Sequence, residues 1–479
     1  NLIKSWYGDG TPINVIDVNK PFDHAEIPHI SINSNSTLVD RGLLTGYSGG
    51  AKSAIRIGSH DSIRFLGETT IEGFDQVELN ASSVEVLKGV EFQSKFNDQE
   101  MPSGYFIVNS LESATFTGAT IIGGLIVNSD GDITATDMNM GEGEAGGYSN
   151  VLKLDAEGKV YFGIGDLGVS PSVWTRMLNI NGSDIQIKRA GLRGNSGLSI
   201  IGSKVIQLEG PSNIEAYTTG AVELAIEAPK VYISNDVNIY SDTAILDGET
   251  GKIKIAGSEV LSIQDSHVTM ANDQLLNERP MLILNGGYVT LDDSTVTHFS
   301  YYNYISRNGE IYSQNPSYLS GKKTTAINAT KSFNLINKSN IYMNHGEIIV
   351  NAKDINIHQS EILNRNVWST GKAGGVKLSS EKNIKLDDAE IAVTTITSAT
   401  RGDIHLKGES LDSINSQITI LDEKKGKSGS INFDFNELIK MGDSQVVSIG
   451  KSHLTRDTNG NDISIRSGEL LMENSLISG

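Results

Sequence analysis

Leu261-Ser262-Ile263-Gln264-Asp265-Ser266-His267-Val268 is followed by Val289-Thr290-Leu291-Asp292-Asp293-Ser294-Thr295-Val296. The shared phrase is apolar, any, apolar, any, Asp or Asn, Ser, any, apolar. It returns at Ile384, with Ala389 in place of the serine, and again at Leu411, Ile439 and Leu470. From Ile355 onward the copies start at 355, 384, 411, 439 and 470, so the steps are 29, 27, 28 and 31 residues. A fixed period in this range signals stacked units, each too thin to bury a core alone. The alternating apolar positions mark strands with one buried face, and the Asp/Asn-Ser pairs mark tight corners. Helical periodicity is nearly absent.

A second phrase opens each late repeat. Gly346-Glu347-Ile348-Ile349-Val350, Gly402-Asp403-Ile404-His405-Leu406 and Gly429-Ser430-Ile431-Asn432-Phe433 illustrate it. Three strands of three to five residues with sharp corners fit one coil of an all-β, right-handed parallel β-helix. Weaker copies at Val77, Ala114 and Ile206 extend the reading toward the N-terminus. One solenoid of about 17 coils would run roughly 80 Å at the spacing of neighbouring strands. A β-sandwich array would instead need longer strands joined by antiparallel hairpins.

The period breaks in two places, and such breaks place loops on a solenoid's surface. Between Val289 and Phe333 the step is 44 residues, about 16 more than the register requires. This stretch holds Tyr301, Tyr302, Tyr304, Tyr312 and Tyr318, with a hairpin signal at Arg307-Asn308-Gly309. Tyrosine and arginine are favoured contact residues, so these five tyrosines and Arg307 are the candidate ligand-binding set, along with Trp174. The other break runs over 141–178, where Ala156-Glu157-Gly158 reads as a hairpin turn between Val151–Leu154 and Val160–Phe162.

The chain is thereby divided into an irregular lead-in over 1–30, repeats over 31–140 and a hairpin insertion outside the stack over 141–178. Repeats follow over 179–298, then a tyrosine-rich insertion over 299–325. Regular repeats fill 326–479 and are expected to be cut off within a repeat.

Composition narrows the function. The net charge of −19 argues against nucleic acid and anionic membrane surfaces as partners, since both need clustered Lys and Arg. The absence of cysteine excludes disulfides, thiol nucleophiles and thiolate metal sites. No apolar run is long enough for a membrane-spanning helix. Asp292-Asp293 and Asp387-Asp388 are carboxylate pairs, but Asp293 and Asp388 fall at the corner position, where turn chemistry accounts for them. The nine histidines are scattered and read as solvated. Asp457-Thr458-Asn459-Gly460-Asn461-Asp462 opens like a calcium loop but has Gly468 where the closing glutamate belongs. No catalytic residue, metal or cofactor is expected.

Residues 402–418 and 461–477 resemble the repeats of filamentous-haemagglutinin-type exoproteins of two-partner secretion systems. The resemblance implies a protein that a Gram-negative bacterium secretes or holds on its outer surface. It implies export through an outer-membrane partner that acts on a region absent here. It also implies a virulence-associated, adhesin-like role toward a host or bacterial surface protein or glycan, with host haem carriers among the ligands. A polysaccharide lyase or hydrolase, a phage-tailspike-like β-helix and the stalk of a contact-dependent toxin are the alternatives.

Overall fold

The computed structural model describes residues 16–17, 29–45, 53–94, 104–141, 149–218, 223–243, 252–272 and 281–300. It also describes 303–305, 311–313, 323–344, 346–366, 374–395, 402–422, 429–450 and 462–479. The chain is all-β, and no helix occurs among the described residues. It divides into two compact units, 1–216 and 217–479.

In the first unit the strands form parallel ladders. His29–Asp40 pairs with Ala54–Leu66, which pairs with Gln76–Val86, which pairs with Tyr105–Thr117. Inward residues stack in columns, because the side-chain period of two keeps like positions on one face. One column runs Ile32, Ile57, Leu79, Val108, Val127, Leu154, Ile180 and Ile200. All eight are buried. Aromatic rings reinforce the core, with Phe65 edge-on to Phe92 at 5.7 Å. Outward residues form ladders of their own: Asn128 Nδ2 donates to Asn109 Oδ1 and Asn109 Nδ2 to Asn80 Oδ1, each at 2.8 Å.

The stretch 141–178 departs from the sequence reading. Ser149–Ala156 pairs in parallel with Gly124–Ser129 and with Ser172–Lys188. Lys159–Gly163 pairs in parallel with Asp132–Thr136 and with Ser172–Lys188. These segments are thus ladder strands and not an antiparallel hairpin outside the stack. Ala156-Glu157-Gly158 is a corner that turns the chain without reversing it onto itself.

One corner in this unit has grown. Between Gly163 and Ser172 lies a loop folded around the carboxylate of Asp137, itself a corner residue with φ of 52° and 5% exposed. Asp137 accepts from the N–H groups of Gly165, Leu167 and Val169 at 2.9, 3.1 and 3.0 Å. Hydrogen bonds to a charged group contribute about 1.5–3 kcal/mol each and are not additive here. Asp137→Ala is therefore expected to lower stability by about 3 kcal/mol. Hydrogen exchange should show lost protection at Gly165, Leu167 and Val169, whereas retained protection there would show that another group holds the loop.

The second unit repeats the plan with longer columns. Ile226, Ile255, Leu284, Ile327, Val350, Leu378, Leu406 and Phe433 stack as register partners, and Ile465 follows. The predicted short strands are here fused in pairs. Lys252–Gln264, Met281–Asp292 and Lys323–Ile336 each hold two arms meeting at a register shift, such as the one between Gly257 and Val260. The bulge bends the strand without ending it.

The Asp/Asn-Ser phrase has a physical cause. Asp265, Asp293, Asp388, Asn415, Asp443 and Asn474 all have φ between 44° and 52°. That left-handed conformation suits Asn and Asp among non-glycine residues. The serine that follows turns inward. The Ser266 N–H donates to Ser294 Oγ, and the Ser294 N–H to Ser339 Oγ. The Ser416 N–H donates to Ser444 Oγ, and the Ser444 N–H to Ser475 Oγ. The hydroxyls of Ser266, Ser294, Ser416, Ser444 and Ser475 also donate to the carbonyl two residues before them, as Ser294 does to Asp292 at 2.7 Å, and in the longer corner Ser339 donates to Ile336 three residues before. The phrase therefore satisfies buried backbone donors at each corner.

His298 is a second departure. It is fully buried, with Nδ1 3.3 Å from Thr325 Oγ1, and is not a solvated side chain. Antiparallel pairing occurs at Ile16–Asp17 against Ile30–Ser31 and at Asn303–Ile305 against Ile311–Ser313. The remainder of the expected lead-in before His29 lies outside the described residues.

Candidate functional site

Connections of variable length concentrate at one corner of the repeat. In the second unit the third arms that are followed by a further strand are Val237–Thr243, His267–Asn272, Thr295–Ser300, Asn340–Met343, Glu361–Asn366, Glu390–Thr395, Gln417–Asp422 and Gln445–Gly450. Ends that are register partners include Thr243 with Asn272, Asn272 with Ser300, Asn366 with Thr395, Thr395 with Asp422, and Asp422 with Gly450. The next strands begin at Lys252, Met281, Lys323, Gly346, Val376, Ile404, Ile431 and Ile463. Segments 244–251, 273–280, 301–322, 367–375, 396–403, 423–430 and 451–462 thus all leave from one column of strand ends. The corners between second and third arms stay at two or three residues throughout this unit, as at Asp265-Ser266 and Asn415-Ser416. Within this unit the growth in length is confined to one edge.

The tyrosine-rich segment is one of these connections. Asn303–Ile305 and Ile311–Ser313 form a two-stranded antiparallel pair in which Tyr304 is the register partner of Tyr312. This agrees with the hairpin signal at Arg307-Asn308-Gly309. Tyr301, Tyr302, Arg307 and Tyr318 lie outside the described residues. The parallel ladder resumes at Lys323, before the expected boundary at 326. The calcium-like stretch over 457–461 also lies outside the described residues.

Trp174 belongs to the first unit, inside the long strand Ser172–Lys188. Its register partner is Arg193, whose guanidinium lies 4.2 Å from the ring centroid. The indole Nε1–H donates to Asn195 Oδ1 at 3.3 Å. The ring is thus held by its polar edge and by one face, as a cation–π contact and a hydrogen bond require. Trp174 and the tyrosines belong to different units.

A groove in the second unit escaped the sequence reading. It has a volume of about 530 Å³ and follows the corner between second and third arms across four repeats. Lys338 and Asn340 line one end, and Asn415 and Gln417 the other. Between them Glu361 and Glu390 are register partners, so their carboxylates sit on neighbouring strands. Burial and the adjacent Glu361 together push the Glu390 carboxyl above the usual range. The sequence carried a faint signal. Gln359 stands where the phrase has Asp or Asn, Ala389 where it has Ser, and a glutamate follows in both copies.

Among the described residues no group of three or more His, Asp or Glu side chains is placed to hold a metal ion. No protein family, curated protein or solved structure matches this chain.

Proposed function

We propose that each unit is a right-handed parallel β-helix and that the chain is an adhesin-type binding protein of a bacterial outer surface or its surroundings. On this reading the stacked arms are a rigid support, and the recognition chemistry sits in the connections of variable length. The observation that carries it is the single column of strand ends from which those connections leave in the second unit. Per-repeat insertions on one face are the common way for a solenoid to build a binding surface. The tyrosine-bearing hairpin is the connection best equipped for contact, because tyrosine offers large area at low entropic cost. The ligand class is a host or neighbouring-cell surface protein or glycan, with host haem carriers such as haemoglobin as a specific case.

The test is binding of the labelled chain to fixed epithelial cells and to immobilised haemoglobin. Replacing residues 301–322 by a short Gly-Ser linker, which keeps the strand ends at Ser300 and Lys323, is expected to weaken binding by tenfold or more while leaving the far-ultraviolet spectrum unchanged. Unchanged binding by this variant would remove the hairpin from the recognition surface. Release of products from acidic polysaccharides would favour the carbohydrate-degrading alternative.

A further inference from the structure

We propose that the corner groove spanning Lys338 to Gln417 is a non-catalytic binding site for a neutral oligosaccharide. It lies at the corner between second and third arms, not at the edge where the connections leave, and so stands independently of the adhesin reading.

The volume of about 530 Å³ falls within the size range of small-molecule sites. Among the described residues no aromatic and no large aliphatic side chain lines it, which excludes an apolar ligand. Lys338 is the one cation among those lining it, set against Glu361, Asp388 and Glu390. The resulting excess of negative charge repels polyanions such as uronates or sulfated glycans. Most of the other lining side chains are primary amides: Asn340, Gln359, Asn415 and Gln417. Each amide offers donors and an acceptor, and each carboxylate accepts from hydroxyls. Because the repeats stack in register, these groups recur about every 4.8 Å along the groove. A chain of hydroxyl-bearing rings can meet donors and acceptors alternately along such a row. A polyamine would satisfy the carboxylates and leave the amide donors unused.

The groove is also where the repeat breaks its own rules. The corner at 337–339 carries one residue more than its neighbours, Lys338, with φ of 63°. Gln359 holds φ of 48°, a conformation that most other corners of this unit give to Asp or Asn. Ala389 replaces the inward serine, so its corner lacks the hydroxyl that links the others. The first position of the third arm is Thr295, Asn340, Gln417 or Gln445 in nearby repeats, all uncharged, but Glu361 and Glu390 here. Stacking two glutamates works against folding through like-charge repulsion. Local departures from a fold's own pattern concentrate at functional positions, and four of them face this one groove. The elevated protonation of Glu390 adds a hydroxyl donor to the row as the pH falls toward its raised value.

Isothermal titration of the full chain tests this with hexasaccharides of neutral glucan, mannan, galactan and xylan, against oligogalacturonate, heparin fragments and spermine. At least one neutral hexasaccharide is expected to bind, and E361A/E390A is expected to weaken it by about tenfold or more, as the loss of two hydrogen bonds to charged groups implies. That variant relieves a repulsion, so its melting temperature is expected to match or exceed that of the parent. Glu347→Ala breaks the Lys377–Glu347 ion pair outside the groove and is expected to leave binding unchanged. Replacement of 301–322 is likewise expected to leave it unchanged, which separates this site from the hairpin. The proposal is overturned if no neutral hexasaccharide binds, if spermine or an acidic probe binds better, if E361A/E390A binds as the parent does, or if new reducing ends appear.

Discussion

Gly402→Ala is expected to destabilise the second unit by about 3 kcal/mol through overpacking against backbone. Gly346, Gly374 and Gly402 stand where the first arm of successive repeats begins. A Cβ placed on Gly402 would lie inside the van der Waals envelope of the Gly374 carbonyl, and one on Gly374 would overlap the Gly346 carbonyl in the same way. The obstacle in both cases is backbone, which cannot swing aside as a flexible side chain can. Asn364 closes the same place from within, its Nδ2 donating to the carbonyls of Gly346 and Gly375 at 2.7 and 3.2 Å. A shift of the glycine backbone would disturb those bonds as well. Gly442 supplies the control, since nothing lies within 4 Å of where its Cβ would stand and its φ is not left-handed. Gly442→Ala is expected to stay within about 0.5 kcal/mol of the parent. Urea denaturation of the two variants measures the difference, and equal midpoints would refute the stacking argument.

Val350→Asp is expected to have a still larger effect, above about 5 kcal/mol, because it places a charge in a dry column. Val350 is fully buried between Ile327 and Leu378. Leu378→Ala in the same column removes bulk without adding charge and is expected to cost about 2–5 kcal/mol. The damage should also be local. Each repeat pairs only with its neighbours, so stability is a sum of repeat and interface terms. Hydrogen exchange on Val350→Asp should show protection lost between Lys323 and Thr395 and kept near Ile431–Gly450. Uniform loss across the second unit would contradict the nearest-neighbour picture.

Much of this architecture was legible in the residues. The Asp/Asn-Ser phrase marked its corners because one left-handed residue and one inward hydroxyl meet the same local demand in every repeat. The segment 141–178 reads as a hairpin in sequence because turn chemistry is local. Ala156-Glu157-Gly158 suits a corner as well as a reversal, and only the partners at Gly124–Ser129 and Ser172–Lys188 distinguish them. The two-residue alternation already placed His298 on the same face as buried Val296, yet its polar ring suggested solvent. The groove was harder to see. Glu361 and Glu390 are 29 positions apart, and each alone looks like an ordinary outward side chain. Their meaning appears when register sets them side by side and the neighbouring corner residues enclose them.

The column of strand ends has a consequence for valency. From Thr243 to Gly450 the anchor points advance by seven steps of about 4.8 Å, so the outermost are roughly 34 Å apart. Inserting or removing whole repeats between two connections would change that distance in fixed increments, like marks on a ruler. A partner with two epitopes would then be selected by their separation as much as by their chemistry. Binding by both at once would raise avidity only when the spacing matches.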